Sequence, residues 1–370
     1  MPVKFWDYRP QWEEQRTTVL ATVARVFDSG RLILGPEVTR FEERFAAYCD
    51  ASSGIGVASG TDALFLALKA LGIGIGDEVI TVANTAVPTV AAIRATGALP
   101  VFVDVRDDTG LIDCAKIPAA LTPRSRCLLP VHLGGVAADL DALTRLADDH
   151  DLFLLEDCAQ ATGAQYRGRK VGSFGDVAAF SFYPTKILGA YGDGGMIVTS
   201  SPELAGRLRR LRFYGMEGNY YAQEEGYNSR LDELQAALLN LRLAGLDAEV
   251  SQRRHLAARY DAALSGVGDL RLPVVPAGQT HQYYLYTVRT SRRDQLMEFL
   301  AARGIESRIN YPTPIHLMSG YAFLGYAPGA LPVTEQLARE ILSLPLYPDL
   351  PEGDQEEVIS AMQTFYGGEG

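Results

Sequence analysis

Over roughly residues 55–200 of this chain, short apolar runs alternate with segments whose apolar residues recur at helical spacing. The runs at 77–82 (DEVITV), 99–105 (LPVFVDV), 127–133 (CLLPVHL) and 151–159 (DLFLLEDCA) read as strands, and Thr61 to Leu71, Val87 to Thr96 and 139–150 (DLDALTRLADDH) read as helices. Strands apolar on both faces must be covered on both, and each helix returns the chain so that the next strand runs parallel. The pattern predicts an α/β fold around a mainly parallel sheet. Two further runs, 177–183 (VAAFSFY) and 196–200 (MIVTS), lie too close together for a helical crossover and predict an antiparallel pair.

After 229–246 (SRLDELQAALLNLRLAGL) the pattern changes to a long helix through Arg253 to Leu264, a strand at 283–290 and a helix at 294–304. This predicts a large domain over 1–246, including an N-terminal arm, and a smaller C-terminal α+β domain over 247–370. A chain of 370 residues, 47% hydrophobic, can bury a core in each. Its formal net charge of −11 argues against nucleic acid or an anionic membrane as partner. Cys49, Cys114, Cys127 and Cys158 form no CxxC pair and read as reduced thiols. With no apolar leader and no run long enough to span a bilayer, the expectation is a cytoplasmic protein.

Two places in this frame carry unusual chemistry. The run at 151–157 ends in Glu156 and Asp157, where a parallel sheet presents ligand-binding groups. Lys186 follows the apolar run holding Phe180 and Phe182, and Gly192, Gly194 and Gly195, broken only by Asp193, come soon after. A lysine among apolar side chains suits Schiff-base chemistry, and the glycines let backbone approach a ligand closely. An acid for a ring nitrogen and an amine for an aldehyde together suggest pyridoxal phosphate. Its phosphate needs an anion site, which Ser59, Gly60 and Thr61 offer at a helix start, with Ser181 as a further hydroxyl. No metal-ligand spacing and no Ser/His/Asp arrangement is recognisable.

The motifs 59–64 (SGTDAL), 155–164 (LEDCAQATGA), 180–195 (FSFYPTKILGAYGDGG), 226–237 (GYNSRLDELQAA) and 311–317 (YPTPIHL) resemble those of the DegT/DnrJ/EryC1/StrS family of sugar aminotransferases, in that order and over nearly the whole chain. The resemblance implies an aspartate aminotransferase-like, fold type I pyridoxal-phosphate enzyme. It implies Lys186 as the Schiff-base lysine, Asp157 at the pyridinium nitrogen and Gln160 by the ring hydroxyl. Gly60, Thr61 and Ser181 would hold the phosphate, with Asn228 reaching over from a second subunit of a homodimer. L-Glutamate would be the amino donor, pyridoxamine phosphate the aminated cofactor, and the acceptor a TDP-linked keto-6-deoxyhexose. The similarity is greatest to the branch that aminates C-3 in daunosamine and desosamine biosynthesis, so antibiotic-sugar formation is the expected setting. Amination at C-4 and a non-catalytic regulatory role are the alternatives. Tyr183, Tyr221, Tyr311 and His316, with the arginine-rich 207–215 nearby, are candidates for the sugar nucleotide. Four positions depart from the family: Ala86 replaces a cofactor-stacking aromatic, Gly134 a tyrosine, and Asn310 and Tyr284 a histidine each.

Overall fold

The computed structural model describes residues 2–218 and 220–367. The strands of the first part are β1 (Ser53–Val57), β2 (Glu78–Thr81), β3 (Leu99–Phe102), β4 (Ser125–Leu128), β5 (Phe153–Asp157), the two-residue hairpin β6 (Gln165–Tyr166) and β7 (Arg169–Lys170), β8 (Val177–Ser181) and β9 (Gly195–Thr199). Seven of them form one sheet in the order β1-β9-β8-β5-β4-β2-β3. β8 runs parallel to β5 and antiparallel to β9, so the pair expected at 177–200 is continuous with the parallel sheet. β9 is the reversed strand, antiparallel also to β1. Consequently the segments after β1, β2, β4, β5 and β8 all leave the same edge of the sheet, where the approach to β9 also begins.

The helices are α1 (Arg9–Asp28), α2 (Pro36–Tyr48), α3 (Gly60–Ala70), α4 (Val87–Ala95), α5 (Ile117–Ala120), α6 (Leu140–His150), α7 (Pro202–Leu211), α8 (Glu233–Leu243), α9 (Leu246–Leu264), α10 (Arg293–Ala302), α11 (Pro332–Glu340) and α12 (Glu352–Gly367). Local chemistry explains several starts. Ser59 and Asp139 cap α3 and α6 by accepting from the N–H of Asp62 and Ala142, as short polar side chains do best. Buried Glu233, at the first turn of α8, accepts from the N–H groups of Gly35, Glu37 and Val38 and so clamps the start of α2. The sequence pattern gives little signal for α1 and β1: α1 is largely polar, and the glycines in Ser53–Val57 weaken its strand signal.

Under the sheet, Phe41 and Phe45 of α2 meet Phe180 and Phe182 edge-on at centroid distances of 5.0–5.2 Å. Each fully buried ring contributes about 1.5–3 kcal/mol by leaving water. A second apolar cluster is built from α9, α10, α12 and the antiparallel pair β10 (Tyr286–Arg289) and β11 (Ile341–Leu344), and Val3 belongs to it. Strand β10 starts three residues later than the apolar run suggests, because Tyr283 takes a positive φ of 49° that an extended strand cannot hold. Among the described residues no helix is long and apolar enough to cross a membrane.

Candidate active site

The two acids closing β5 point to opposite faces, as the two-residue period of a strand requires. Glu156 is structural. It faces His132 Nε2 at 3.0 Å and accepts from the N–H groups of Gly172, Phe174 and Gly175, each at 2.9 Å. His132 Nδ1 accepts from Ala138 N–H, so Nε2 carries the proton and donates to Glu156. Burial pushes the Glu156 carboxyl up, but the His132 contact and the backbone N–H groups outweigh it and hold the group below its usual range. Cys158 lies beside this pair, all three ligand atoms falling within 4.8 Å. Burial drives its thiol far up in pKa, and the carboxylate is already fully hydrogen-bonded, so the cluster is a packed hydrogen-bond centre.

Asp157 is different. It is 3% exposed, and its carboxylate accepts from Thr89 Oγ1 at 2.9 Å and Ala159 N–H at 3.1 Å, with no ion pair among the described residues. Burial raises its pKa, and the Ala159 N–H, the Thr89 hydroxyl and the charge of Lys186 offset this only in part. Two neutral donors do not balance a buried negative charge, so this carboxylate is poised for a cationic N–H. Thr89 lies on the first turn of α4, and its hydroxyl is 2.8 Å from that of Thr85. Sequence reasoning missed both threonines; their i, i+4 spacing around Pro88 was the available signal. Ala86 is the N-cap of α4 and presents only a methyl group.

Lys186 sits on the tight turn after β8, its N–H donating to Tyr183 O at 2.8 Å. It makes no ion pair among the described residues, and its Nζ lies 4.5 Å from the ring centre of Tyr284, one of the family departures. The nearby glycines have a reason other than the expected one. A Cβ on Gly195 would come within 2.2 Å of Ser59 O, one on Gly189 within 2.2 Å of Pro184 O, and one on Gly192 within 3.0 Å of Gln235 Nε2. They admit the protein's own segments, and none adopts a positive φ.

Gly60 is pressed against Ser181: a Cβ on it would lie 2.5 Å from Ser181 Cβ and 2.9 Å from Oγ. The start of α3 and the end of β8 therefore bring Gly60, Thr61 and Ser181 together. Ser59 takes the Asp62 N–H, and the N–H groups of Gly60 and Thr61 remain at the open first turn. Ser229, also unforeseen, donates to Asp62 Oδ2 at 2.7 Å and accepts from Ala58 N–H at 3.1 Å. Its neighbour Asn228 is exposed and pairs through its backbone with Phe213.

Gln160 bridges two elements, accepting from Gly134 N–H at 2.7 Å and donating to Tyr311 Oη at 3.1 Å. Gly134 has a φ of 70°, which explains why glycine is suited to this turn. Burial pushes the Tyr311 phenol up, with Tyr284 and Asp157 near enough to add to the effect. Tyr311 also lines a cleft, together with Asn84, Gly134, Arg271, Arg289 and Asn310. Tyr183 and Tyr221 are exposed. His316 departs from expectation: it is 2% exposed, its Nε2 is 3.1 Å from Glu335 Oε1, and Phe102 and Tyr326 flank its ring. The expected basic face at 207–215 is also committed, because Arg207 and Arg210 pair with Glu224 and buried Arg212 pairs with Glu42.

Comparison with known proteins places this geometry. The chain is 50% identical, over all of both chains, to dTDP-3-amino-3,4,6-trideoxy-alpha-D-glucose transaminase of Micromonospora megalomicea subsp. nigra. Its structure superposes on that of Streptomyces venezuelae DesV, solved with a ketimine intermediate, with a TM-score of 0.97 at 49% identity, covering 99% of this chain and 98% of that one. NtdA of Bacillus subtilis, solved with bound cofactor PMP, gives a TM-score of 0.89 at 30% identity, covering 94% of this chain and 81% of that one. Residues 13–363 match one family along their whole length, and the chain belongs to the DegT/DnrJ/EryC1/StrS aminotransferase family.

Proposed function

We propose that this protein is a pyridoxal-phosphate aminotransferase that moves an amino group from L-glutamate to the C-3 keto group of a TDP-linked keto-6-deoxyhexose. The observation that carries the reading is buried Asp157, whose carboxylate makes no ion pair among the described residues, at the same sheet edge as Lys186, whose charge acts on it and which likewise makes none. The similarity to a dTDP-3-amino sugar transaminase supports the choice of C-3 and of the nucleotide.

The residues present fit the cofactor. Asp157 supplies the anion a protonated ring nitrogen needs. The open N–H groups of Gly60 and Thr61 and the Ser181 hydroxyl form a cradle for a phosphate, which a side chain at position 60 would fill. Gln160 would lie by the ring hydroxyl and Lys186 would be the partner for the aldehyde. When bound, the cofactor supplies an electron-withdrawing ring that stabilises negative charge on a carbon losing its proton. The Lys186 amine is the base that takes the proton from the amino donor and returns it, a role that needs a free, positioned amine. Asp157 would accept the ring-nitrogen N–H at its carboxylate and so keep that nitrogen protonated, an electrostatic contribution built in before reaction.

We further propose a homodimer in which Asn228 of the partner subunit completes the phosphate site. Leu32 and Ile33 give an exposed apolar strip beside the start of α8, where Glu233 N–H donates to Leu32 O and Ile33 bridges to Asp232, four residues from Asn228. Such a strip suits a second copy of the chain.

The deciding experiment records the visible spectrum of the purified protein, adds L-glutamate, then offers TDP-linked 3-keto and 4-keto 6-deoxyhexoses, with Lys186→Ala as control. The expected result is a Lys186-dependent band that bleaches with glutamate and returns with the 3-keto sugar. Return only with the 4-keto sugar moves the site of amination. A band that never responds to a donor overturns the enzyme reading in favour of a binding protein.

A further inference from the structure

The turn that carries Lys186 is held from outside by groups with no part in the chemistry above. The Tyr8 hydroxyl donates to Pro184 O and lies 3.5 Å from Ala190 O, while Arg242 Nη1 donates to Gly189 O at 2.6 Å. Three backbone carbonyls on either side of Lys186 are thus gripped by two side chains. Arg242 is 8% exposed and is itself tied to Glu249 Oε2 at 3.2 Å, across the junction of α8 and α9. The Tyr8 ring also stacks near Tyr191, at a centroid distance of 6.4 Å.

Tyr8 belongs to a short arm whose other end is fastened to the second apolar cluster. Val3 N–H donates to Gly304 O and Glu306 N–H donates to Val3 O, both at 2.9 Å, and Phe5 N–H reaches Glu306 Oε2 at 3.2 Å. Trp6 packs against that cluster and meets the Tyr8 ring edge-on at 3.6 Å. A small pocket lined by Trp6, Pro184, Lys186, Arg242 and Arg253 among others marks where arm, turn and second cluster meet.

We infer that residues 3–8 are a strap that couples the position of the second apolar cluster to the turn bearing Lys186, with Tyr8 as the positioning residue. The physical reason lies in the turn itself. Lys186 has no ion pair among the described residues to fix it, and the turn's own backbone bonds, Lys186 N–H to Tyr183 O and Ala190 N–H to Phe182 O, close it only at its base. A shift of the C-terminal cluster would pull Tyr8 and so move the carbonyls that orient the lysine backbone. The part of the test that reads turnover rests on the proposed role of Lys186; the part that reads backbone exchange does not.

Tyr8→Phe removes the hydroxyl and keeps the ring. In the cofactor-free protein, amide hydrogen exchange across 182–191 is expected to speed up at least about fivefold, with the melting temperature nearly unchanged. In the loaded protein, the glutamate half-reaction is expected to lose about tenfold in maximal rate while the half-saturating glutamate concentration stays within about twofold. Val3→Pro, which removes the N–H that donates to Gly304, is expected to loosen 182–191 in the same way with Tyr8 intact. Unchanged exchange at 182–191 in Tyr8→Phe overturns the positioning role. Loosening in Tyr8→Phe but none in Val3→Pro overturns the strap. If wild type itself fails to respond to glutamate, the aminotransferase reading falls, and the exchange comparison still decides the strap.

Discussion

At Asp157 the cost of burial and the demand of chemistry coincide. Burial has raised its pKa, so the folded state holds this proton more tightly than the unfolded chain does. By linkage, the cofactor-free protein loses stability as pH rises from the ordinary carboxylate range through that raised value. Asp157→Asn removes the buried charge and keeps the shape. We expect the cofactor-free variant to match or exceed wild type by about 1 kcal/mol at pH 7 in thermal melts, while its transamination falls about 10²- to 10³-fold. Thr89→Val tests the hydroxyl that serves this carboxylate. The remaining Ala159 N–H should sustain folding, and the maximal rate should drop about tenfold, corresponding to one lost hydrogen bond to a charged group of about 1.5–3 kcal/mol at most. Lys186→Ala should remove at least about 10³-fold of turnover without a loss of folded protein.

Among the elements, the approach to β9 is the most constrained. Its first residue, Gly195, passes so close to Ser59 that any Cβ must displace the start of α3, taking the Gly60 and Thr61 N–H groups with it. Gly195→Ala is therefore expected to lower retention of pyridoxal phosphate during dialysis at least about tenfold, the measure being the residual visible band. The aromatic pack beneath β8 separates from this. Phe180→Ala leaves a cavity under the sheet and should cost about 3–5 kcal/mol in denaturant melts. The sequence pattern located these elements well, since β2, β5, β8, β9, α3, α4 and α6 all fall where periodicity puts them. It missed α1 and β1, whose residues carry little apolar contrast, and it read the glycines as room for a ligand when their contacts are with Ser59, Pro184 and Gln235.

For the whole molecule, the proposed shared site makes a mixing prediction. If Asn228 of the partner subunit completes each site, Lys186→Ala and Asn228→Ala homodimers are both deficient. Subunit exchange between them should then restore about a quarter of wild-type turnover, because only mixed dimers regain one intact site. Failure to recover activity, with exchange verified by mass, would remove the shared-site proposal. Acid stability depends on a different group. Buried His281, whose Nδ1 accepts from Tyr283 N–H, has its pKa pushed down by burial to about 3, so the unfolded chain binds the proton that the folded one refuses between roughly pH 6.5 and 3. Stability falls as pH drops through that window. His281→Phe, which keeps the stacking on Tyr283, should be about 1 kcal/mol less stable at pH 7 yet lose less on acidification. What the chain determined by itself was the succession of strands and helices, and with it the sheet edge at which Asp157, Ser181 and the start of α3 gather, because apolar periodicity and caps act over a few residues. Only the tertiary structure decided that Glu156 is taken up by His132, that Thr89 serves Asp157 from 68 residues away, and that Gln160 meets Tyr311 across 151 residues. It also withdrew His316 and most of the arginine stretch into pairings of their own. Those outcomes depend on contacts between distant segments, and no local pattern encodes which partner a polar side chain will meet.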